Sequence, residues 1–261
     1  MKHGIAIVDY GSQYTQLIAR RVRELGVYSE IFSPSTPLNK INSFDLKGVV
    51  LSGGPTSVYD SDSPKVDSQT LSLDVPILGI CYGMQTLANE LNGKIEKGDR
   101  GEYGFAQIEF EESSPLFKGI DDKLKVWMSH GDRVKNTDDS FKVIAKSEND
   151  IIAAIEHTSK PFFGVQFHPE VTHTEDNDKI LSNFLFQISN CNNAWGSGDF
   201  IEESISSIKS IVGDKKVICG ISGGVDSSVM GKLLFEAVGD QCKFVFIDHG
   251  FMRKGEAEQV S

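Results

Sequence analysis

In the segment PILGICYGMQ, Cys81 lies between Gly79 and Gly83, after a short apolar run and before a helical pattern. A thiol at a strand-to-helix turn flanked in this way is the cysteine version of the nucleophile elbow. Neighbours two residues away must lack bulk if strand and helix are to approach each other there. The helix N-terminus favours the thiolate over the thiol, and the backbone N–H of Tyr82 would point at a developing oxyanion. The competing reading is a buried core thiol, the usual state of a free cysteine. A second segment, GVQFHPEV, supplies an imidazole and a carboxylate. Pro169 biases His168 towards extended backbone. Glu170, two residues on, then faces the same side and can reach the His168 ring. Together these groups could form a Cys–His–Glu relay in which the carboxylate orients the ring and the ring moves the proton. A metal site built from His168, Glu170 and His173 is disfavoured, because Pro169 opposes the helix on which a zincin sets its two histidines.

A third segment, SGGVDSS (Ser222–Ser228), falls between a strand signal and a helix signal. A glycine-rich loop at a helix N-terminus can cradle an anion. It is no Walker A loop, having neither the GxxxxGK[ST] spacing nor the lysine. Asp226 could meet Mg²⁺ or cap the helix, and the sequence leaves both open.

The elements that must position these groups follow from periodicity. Ile5–Val8, Tyr28–Phe32, Gly48–Leu51 and Val75–Ile80 read as short buried strands. Leu17, Ile18, Val22 and Leu25 mark a helix, and Gly83–Leu91 another. This alternation predicts a parallel, doubly wound α/β sheet. From Phe105 to Phe167, runs such as FAQIEF, KVWMS and FFGVQF predict mainly antiparallel strands appended to it, with WMSHGD giving a turn at Ser129–Asp132. A helix over Asp178–Ile188 closes a domain at residues 1–190, and 191–200 reads as a linker. In 201–261, Ile201, Ile205, Ile208 and Val212 mark a helix. Lys216–Ile221, Ser228–Val238 and Lys243–Asp248 then give strand, helix and strand, so a second α/β domain has begun and is expected to be incomplete.

Composition narrows the function classes. The 261-residue chain carries a formal net charge of −11, and its basic trio Arg20, Arg21 and Arg23 lies on a predicted helix. A nucleic-acid partner is not expected, and any nucleotide must be held locally. Cys81, Cys191, Cys219 and Cys242 lack disulfide or zinc spacing. With no signal-like start and no long apolar window, a cytoplasmic protein without membrane contact is expected.

The two catalytic segments, with SGGP at Ser52–Pro55 and WMSHGD at Trp127–Asp132, resemble the class I glutamine amidotransferases over about residues 1–190, in the family's order. The resemblance implies a flavodoxin-like, doubly wound mixed sheet. It implies that Cys81 attacks the side-chain amide of glutamine, His168 shuttles the proton and Glu170 orients it. It also implies oxyanion donors from Gly53, Gly54 and Tyr82, with Gln85, Ser129, His130, Gly131 and Asp132 around the substrate's α-amino and carboxylate ends. No catalytic role is given to His130, for which a satisfied loop histidine suffices. SGGVDSS resembles the PP-loop of N-type ATP pyrophosphatases, implying that Ser222, Gly223, Gly224, Val225, Asp226, Ser227 and Ser228 hold ATP, with Asp226 near Mg²⁺. The second domain's VFIDHGFMRKGEAEQV adds to this, with Gly255 where Asn is expected. An amidotransferase joined to such a loop is similar to the GMP synthase family. That family implies XMP, ATP and glutamine as substrates, no organic cofactor and no zinc, and a homodimer formed through residues beyond Ser261. Alone, 1–261 is expected to be a glutaminase only. The rival readings are a stand-alone γ-glutamyl hydrolase, which leaves SGGVDSS unexplained, and a non-catalytic glutamine or nucleotide sensor, against which the intact Cys81, His168 and Glu170 set weighs.

Overall fold

The structure, a computed structural model, describes residues 2–41 and 43–247, in two compact units, Met1–Trp195 and Gly196–Ser261. The first unit runs β1 (His3–Val8), α1 (Thr15–Glu24), β2 (Tyr28–Phe32), β3 (Asp45–Leu51), α2 (Ser68–Leu71), β4 (Ile77–Ile80), α3 (Tyr82–Glu90), β5 (Lys94–Phe110), β6 (Lys123–Asn136), β7 (Phe141–Ser147), β8 (Ile152–His157), β9 (Phe162–Val165) and α4 (Asn177–Ser182). Its strands make one sheet in the order β2-β1-β3-β4-β9-β8-β7-β5-β6. The first five of these positions are parallel and the remainder antiparallel. This is a doubly wound mixed α/β sheet.

The residues of β1 show why both faces must be covered. Ile5 and Ile7 pack with Ile18 and Val22 of α1 and with Ile180 of α4. Ala6 and Val8, pointing the opposite way, pack with Met84 and Leu87 of α3. A strand buried on both faces is apolar throughout, and helices on both sides are the way to bury it. The loops after β1, β3 and β4 therefore emerge together at the carboxyl ends of the parallel strands. In such sheets ligands bind there, at the point where the strand order reverses.

The segment Ser129–Asp132 is not a turn. It lies inside β6 and pairs with β5, with Tyr103 opposite Ser129 and Glu102 opposite His130. Its polar run is tolerated in a strand because the ladder with β5 satisfies the backbone. The register shifts between Lys97 and Glu102, an irregularity that bends a strand locally. The helix expected over Asp178–Ile188 is α4 continued as a π-helical turn, Asn183–Ile188. Asn183 Nδ2 there donates to Leu116 O at 2.9 Å and Lys118 O at 3.0 Å.

The stretch 191–200 is divided in the structure. Cys191 is buried in the first unit's core, and Trp195 N–H donates to Gly26 O. The second unit starts with α5 (Ser197–Val212), whose first turn is closed by the Asp199 carboxylate accepting from Gly196 N–H at 2.8 Å. Then follow β10 (Val217–Ile221), α6 (Val225–Val238) and β11 (Cys242–Phe246), the two strands parallel. α6 begins at Val225 rather than Ser228, so Val225–Ser228 is helical and not loop. Residues 248–261, which hold Asp248, Gly255 and all but the first three residues of the last motif, lie outside the described residues. Among the described residues no helix is long and apolar enough to cross a membrane.

Candidate active site

Cys81 joins β4 to α3 with φ 52° and ψ −107°, a conformation that costs a non-glycine residue of order 1–3 kcal/mol and that tends to sit at functional sites. The flanking glycines make the turn feasible. A Cβ on Gly79 would stand 2.6 Å from the backbone of Gly83 and Met84, and one on Gly83 would stand 2.2 Å from Leu51 O. The requirement for small neighbours thus comes from two backbone approaches, one within the elbow and one to β3. Cys81 N–H donates to Val165 O at 2.7 Å, which pins the elbow to the end of β9, and its thiol lies 3.6 Å from Ser129 O on β6.

His168 lies just beyond β9 and Glu170 in the turn that follows, not in an extended stretch as expected, and both are buried. His168 Nδ1 donates to Glu170 Oε1 at 2.7 Å. A carboxylate on Nδ1 leaves the other ring nitrogen for Cys81. Burial disfavours the charged His168 ring, but the Glu170 carboxylate and the hydrogen bond to Cys81 outweigh it and push the pKa up to about 10. The ring is held as imidazolium beside the thiol. Its placement is fixed from three further directions. His168 N–H donates to Trp127 O, Thr174 Oγ1 donates to His168 O at 2.7 Å, and the Tyr14 ring meets it edge-on at 5.1 Å. Gly53 lies close by: a Cβ there would come within 3.3 Å of His168 Cε1 and 3.7 Å of Cys81 Cβ.

These groups open on a cleft of about 540 Å³ lined by Gly54, Tyr82, Gln85, Ser129, His130, Gly131 and Asp132 along with Cys81 and His168. The structure therefore brings the expected residues of the first unit together, with Gly53 and Glu170 behind the wall. Gln85 is buried and donates Nε2 to Asp132 O at 2.7 Å and to Gln166 Oε1 at 3.1 Å. His130 contacts Asp132 O through Nδ1 at 3.0 Å and Glu102 Oε2 through Nε2 at 3.3 Å. Burial opposes the Glu102 charge, but hydrogen bonds from His130, Asn149 and Ser147 more than offset it and lower its pKa. His130 is thus a satisfied histidine in the wall, though in a strand rather than a loop. His173 packs against Trp127 with ring centroids 4.7 Å apart and planes tilted by 38°, and among the described residues no cluster of metal-ligating side chains occurs.

Sequence reasoning missed Tyr14, Glu102 and Gln166. Tyr14 had a usable signal, since the loop after the first strand of a doubly wound sheet flanks the crevice. Glu102 meets His130 only through the pairing of β5 with β6, and Gln166 meets Gln85 only because α3 packs over the end of β9.

In the second unit, Ser222 and Ser227 tie the loop together. Ser222 N–H donates to Ser227 Oγ at 3.3 Å, and Ser227 Oγ and Ser228 Oγ both reach Gly224 O, at 2.9 and 3.0 Å. Gly223 takes φ +82°, which favours glycine. Gly224 is the N-cap, so Asp226 does not cap α6; it is exposed in the first turn.

Residues 6–188 match the family model described as glutamine amidotransferase class-I, and residues 197–257 match that described as NAD synthase. The glutamine-hydrolysing GMP synthase of Brachyspira hyodysenteriae is 50% identical over 256 residues, covering 98% of this chain and 50% of the relative. That of Caldicellulosiruptor saccharolyticus is 49% identical over 261 residues, covering 100% and 51%. The chain spans about half the length of the curated relatives it matches. The solved structure of a Thermoplasma acidophilum protein, provisionally assigned as one subunit of GMP synthase, aligns at TM-score 0.63 with 29% identity, over 78% of this chain and 98% of that one. A glutamine amidotransferase from Thermotoga maritima shares the fold at TM-score 0.52 with 17% identity, over 92% and 98%.

Proposed function

The chain belongs to the class I glutamine amidotransferases, and on that premise we propose that its first unit hydrolyses the side-chain amide of glutamine through Cys81, His168 and Glu170. The observation that carries this is the strained elbow at Cys81, with a 2.7 Å His168–Glu170 pair beside it. The thiolate of Cys81 attacks the amide carbon, and the N–H groups of the Gly53–Gly54 loop and Tyr82 receive the oxyanion. His168 gives its proton to the departing nitrogen, ammonia leaves, and a γ-glutamyl thioester remains on Cys81. His168, now neutral, takes a proton from water as the water attacks the thioester, and glutamate is released. Glu170 stays ionised throughout and holds the ring so that one nitrogen always faces the reacting atoms. Gln85 and the Ser129–Asp132 stretch of β6 hold the α-amino and carboxylate ends of the substrate. Cys81→Ala should release no ammonia from glutamine; comparable release would remove Cys81 from the mechanism.

For the second unit the reading is an ATP site, in which the Ser222–Ser228 loop and the start of α6 take up phosphate oxygens. Asp226 offers an exposed carboxylate there, a hard oxygen donor of the kind that suits Mg²⁺ together with substrate phosphates. The likeness to glutamine-hydrolysing GMP synthases supports a larger reaction for the whole protein. XMP is adenylated by ATP with release of pyrophosphate, and ammonia from the first unit displaces AMP to give GMP. MgATP titration of the chain, with and without Gly223→Ala, tests the loop.

A further inference from the structure

The side-chain amide of Gln85 has a fixed polarity. Asp132 O is a backbone carbonyl and can only accept, so the Gln85 atom 2.7 Å from it is the nitrogen. The same nitrogen lies 3.1 Å from the side chain of Gln166, which must therefore present its oxygen. Both Gln85 N–H groups are consumed inside the protein, and what remains for the cleft is the Gln85 carbonyl oxygen, an acceptor. Asp132 O alone does not settle how the rest of the amide lies. One hydrogen bond leaves the Gln85 side chain free to swing about it, and the second, from the opposite side, stops that motion.

Gln166 is well placed to be that stop. It is fully buried just beyond β9, its backbone N–H donates to Ala153 O at 2.8 Å, and its own Nε2 has no hydrogen-bond partner. A buried amide nitrogen left unpaired counts against a role in packing alone, which Met or Leu would serve at less cost. We propose that Gln166 is a positioning residue that holds the Gln85 carbonyl towards the cleft, and that this acceptor selects substrates carrying an α-ammonium group. The proposal rests on the glutaminase reading and adds to it a determinant of which γ-amides are accepted.

The test uses the whole chain and two amides that differ at one group: glutamine, and glutaramate, which lacks the α-ammonium. Wild type should prefer glutamine in kcat/KM. In Gln166→Met, nearly isosteric but without the acceptor, the preference should shrink by about 10-fold, through KM for glutamine rather than kcat, because a hydrogen bond to a charged group is being misdirected. Gln166→Glu keeps an acceptor oxygen in either protonation state and should restore most of the preference. In a Gln85→Ala background, Gln166→Met should change the preference no further. An unchanged preference in Gln166→Met, or an equal loss on the Gln85→Ala background, overturns the assignment. If Gln166→Met does not fold, Gln166→Glu against Gln85→Ala decides the matter: a Gln166→Glu preference as low as that of Gln85→Ala overturns it. Wild type that releases no ammonia from glutamine would instead sink the underlying glutaminase reading.

Discussion

Gly83→Ala tests whether the elbow depends on backbone contact. The added Cβ would lie 2.2 Å from Leu51 O, 2.7 Å from Leu51 C and 2.8 Å from Leu51 Cβ, whereas ordinary contacts begin at 3.4 Å. Leu51 is buried and ends β3 in the middle of the sheet, so no flexible side-chain tip can yield. Strand and helix must part by roughly 1 Å, and overpacking of this kind costs about 1–3 kcal/mol. At 2–4 °C per kcal/mol for a unit of this size, the melting temperature should fall by about 2–12 °C. Activity should suffer more. Leu51 leads directly into the Ser52–Gly54 loop, and Gly83 follows Cys81 by two residues, so the separation moves nucleophile and loop apart. A misplacement of about 1 Å can cost on the order of 100-fold in rate. Gly220→Ala is the control, because nothing lies within 4 Å of its would-be Cβ and its φ is not positive; it should be silent. Ammonia release under steady state, with melting curves alongside, measures both effects. A folded Gly83→Ala protein with wild-type kcat would falsify the packing argument.

Three further outcomes are expected. The His168 pKa is raised from 6.5 to about 10, so the stability gained from its charge is complete below about pH 6.5 and disappears as pH rises through about 10. The melting temperature of wild type should fall between pH 7 and 10, Glu170→Gln should flatten that fall, and the alkaline limb of the rate profile should move to lower pH in Glu170→Gln; identical profiles would refute the pairing. Glu102→Ala strands the buried His130 ring without its carboxylate partner and should lower the melting temperature more than Glu109→Ala, whose partner Lys123 is exposed, because exposed pairs contribute about 0–1 kcal/mol; the reverse order would refute it. Ser227→Ala removes the acceptor of Ser222 N–H and the donor to Gly224 O and should weaken MgATP binding about 5- to 10-fold by calorimetry, with unchanged affinity counting against a role for the loop.

Much of the fold was legible because β1, the second half of β3 and β4 are buried apolar runs, and because α1 and α3, which follow β1 and β4, carry the 3.6-residue period. The His168–Glu170 contact was legible because the two lie two residues apart, although a turn rather than the expected extended backbone brings them together. Ser129–Asp132 was misread because a polar run containing glycine signals a turn locally, whereas pairing with β5 decides the outcome. The start of α6 was placed three residues late because Gly223 and Gly224 suggest a longer loop, although Gly224 alone serves as the cap. Glu102 and Gln166 were not legible at all. Each acts on a residue 28 or 81 positions away in sequence; the β5–β6 register creates the first contact and the packing of α3 beside β9 the second.

The most direct measurement is the covalent intermediate. Rapid mixing of the chain with isotopically labelled glutamine, acid quench and peptide mass spectrometry should reveal a γ-glutamyl thioester on Cys81. Cys191, Cys219 and Cys242 are buried and free as well, yet none sits at such an elbow, so they serve as internal controls and should remain unlabelled. His168→Ala should slow formation of the adduct by on the order of 100-fold or more. A label on Cys81 alone supports nucleophilic attack by that thiol, while steady ammonia release with no label on Cys81, or with label on another cysteine, would contradict it.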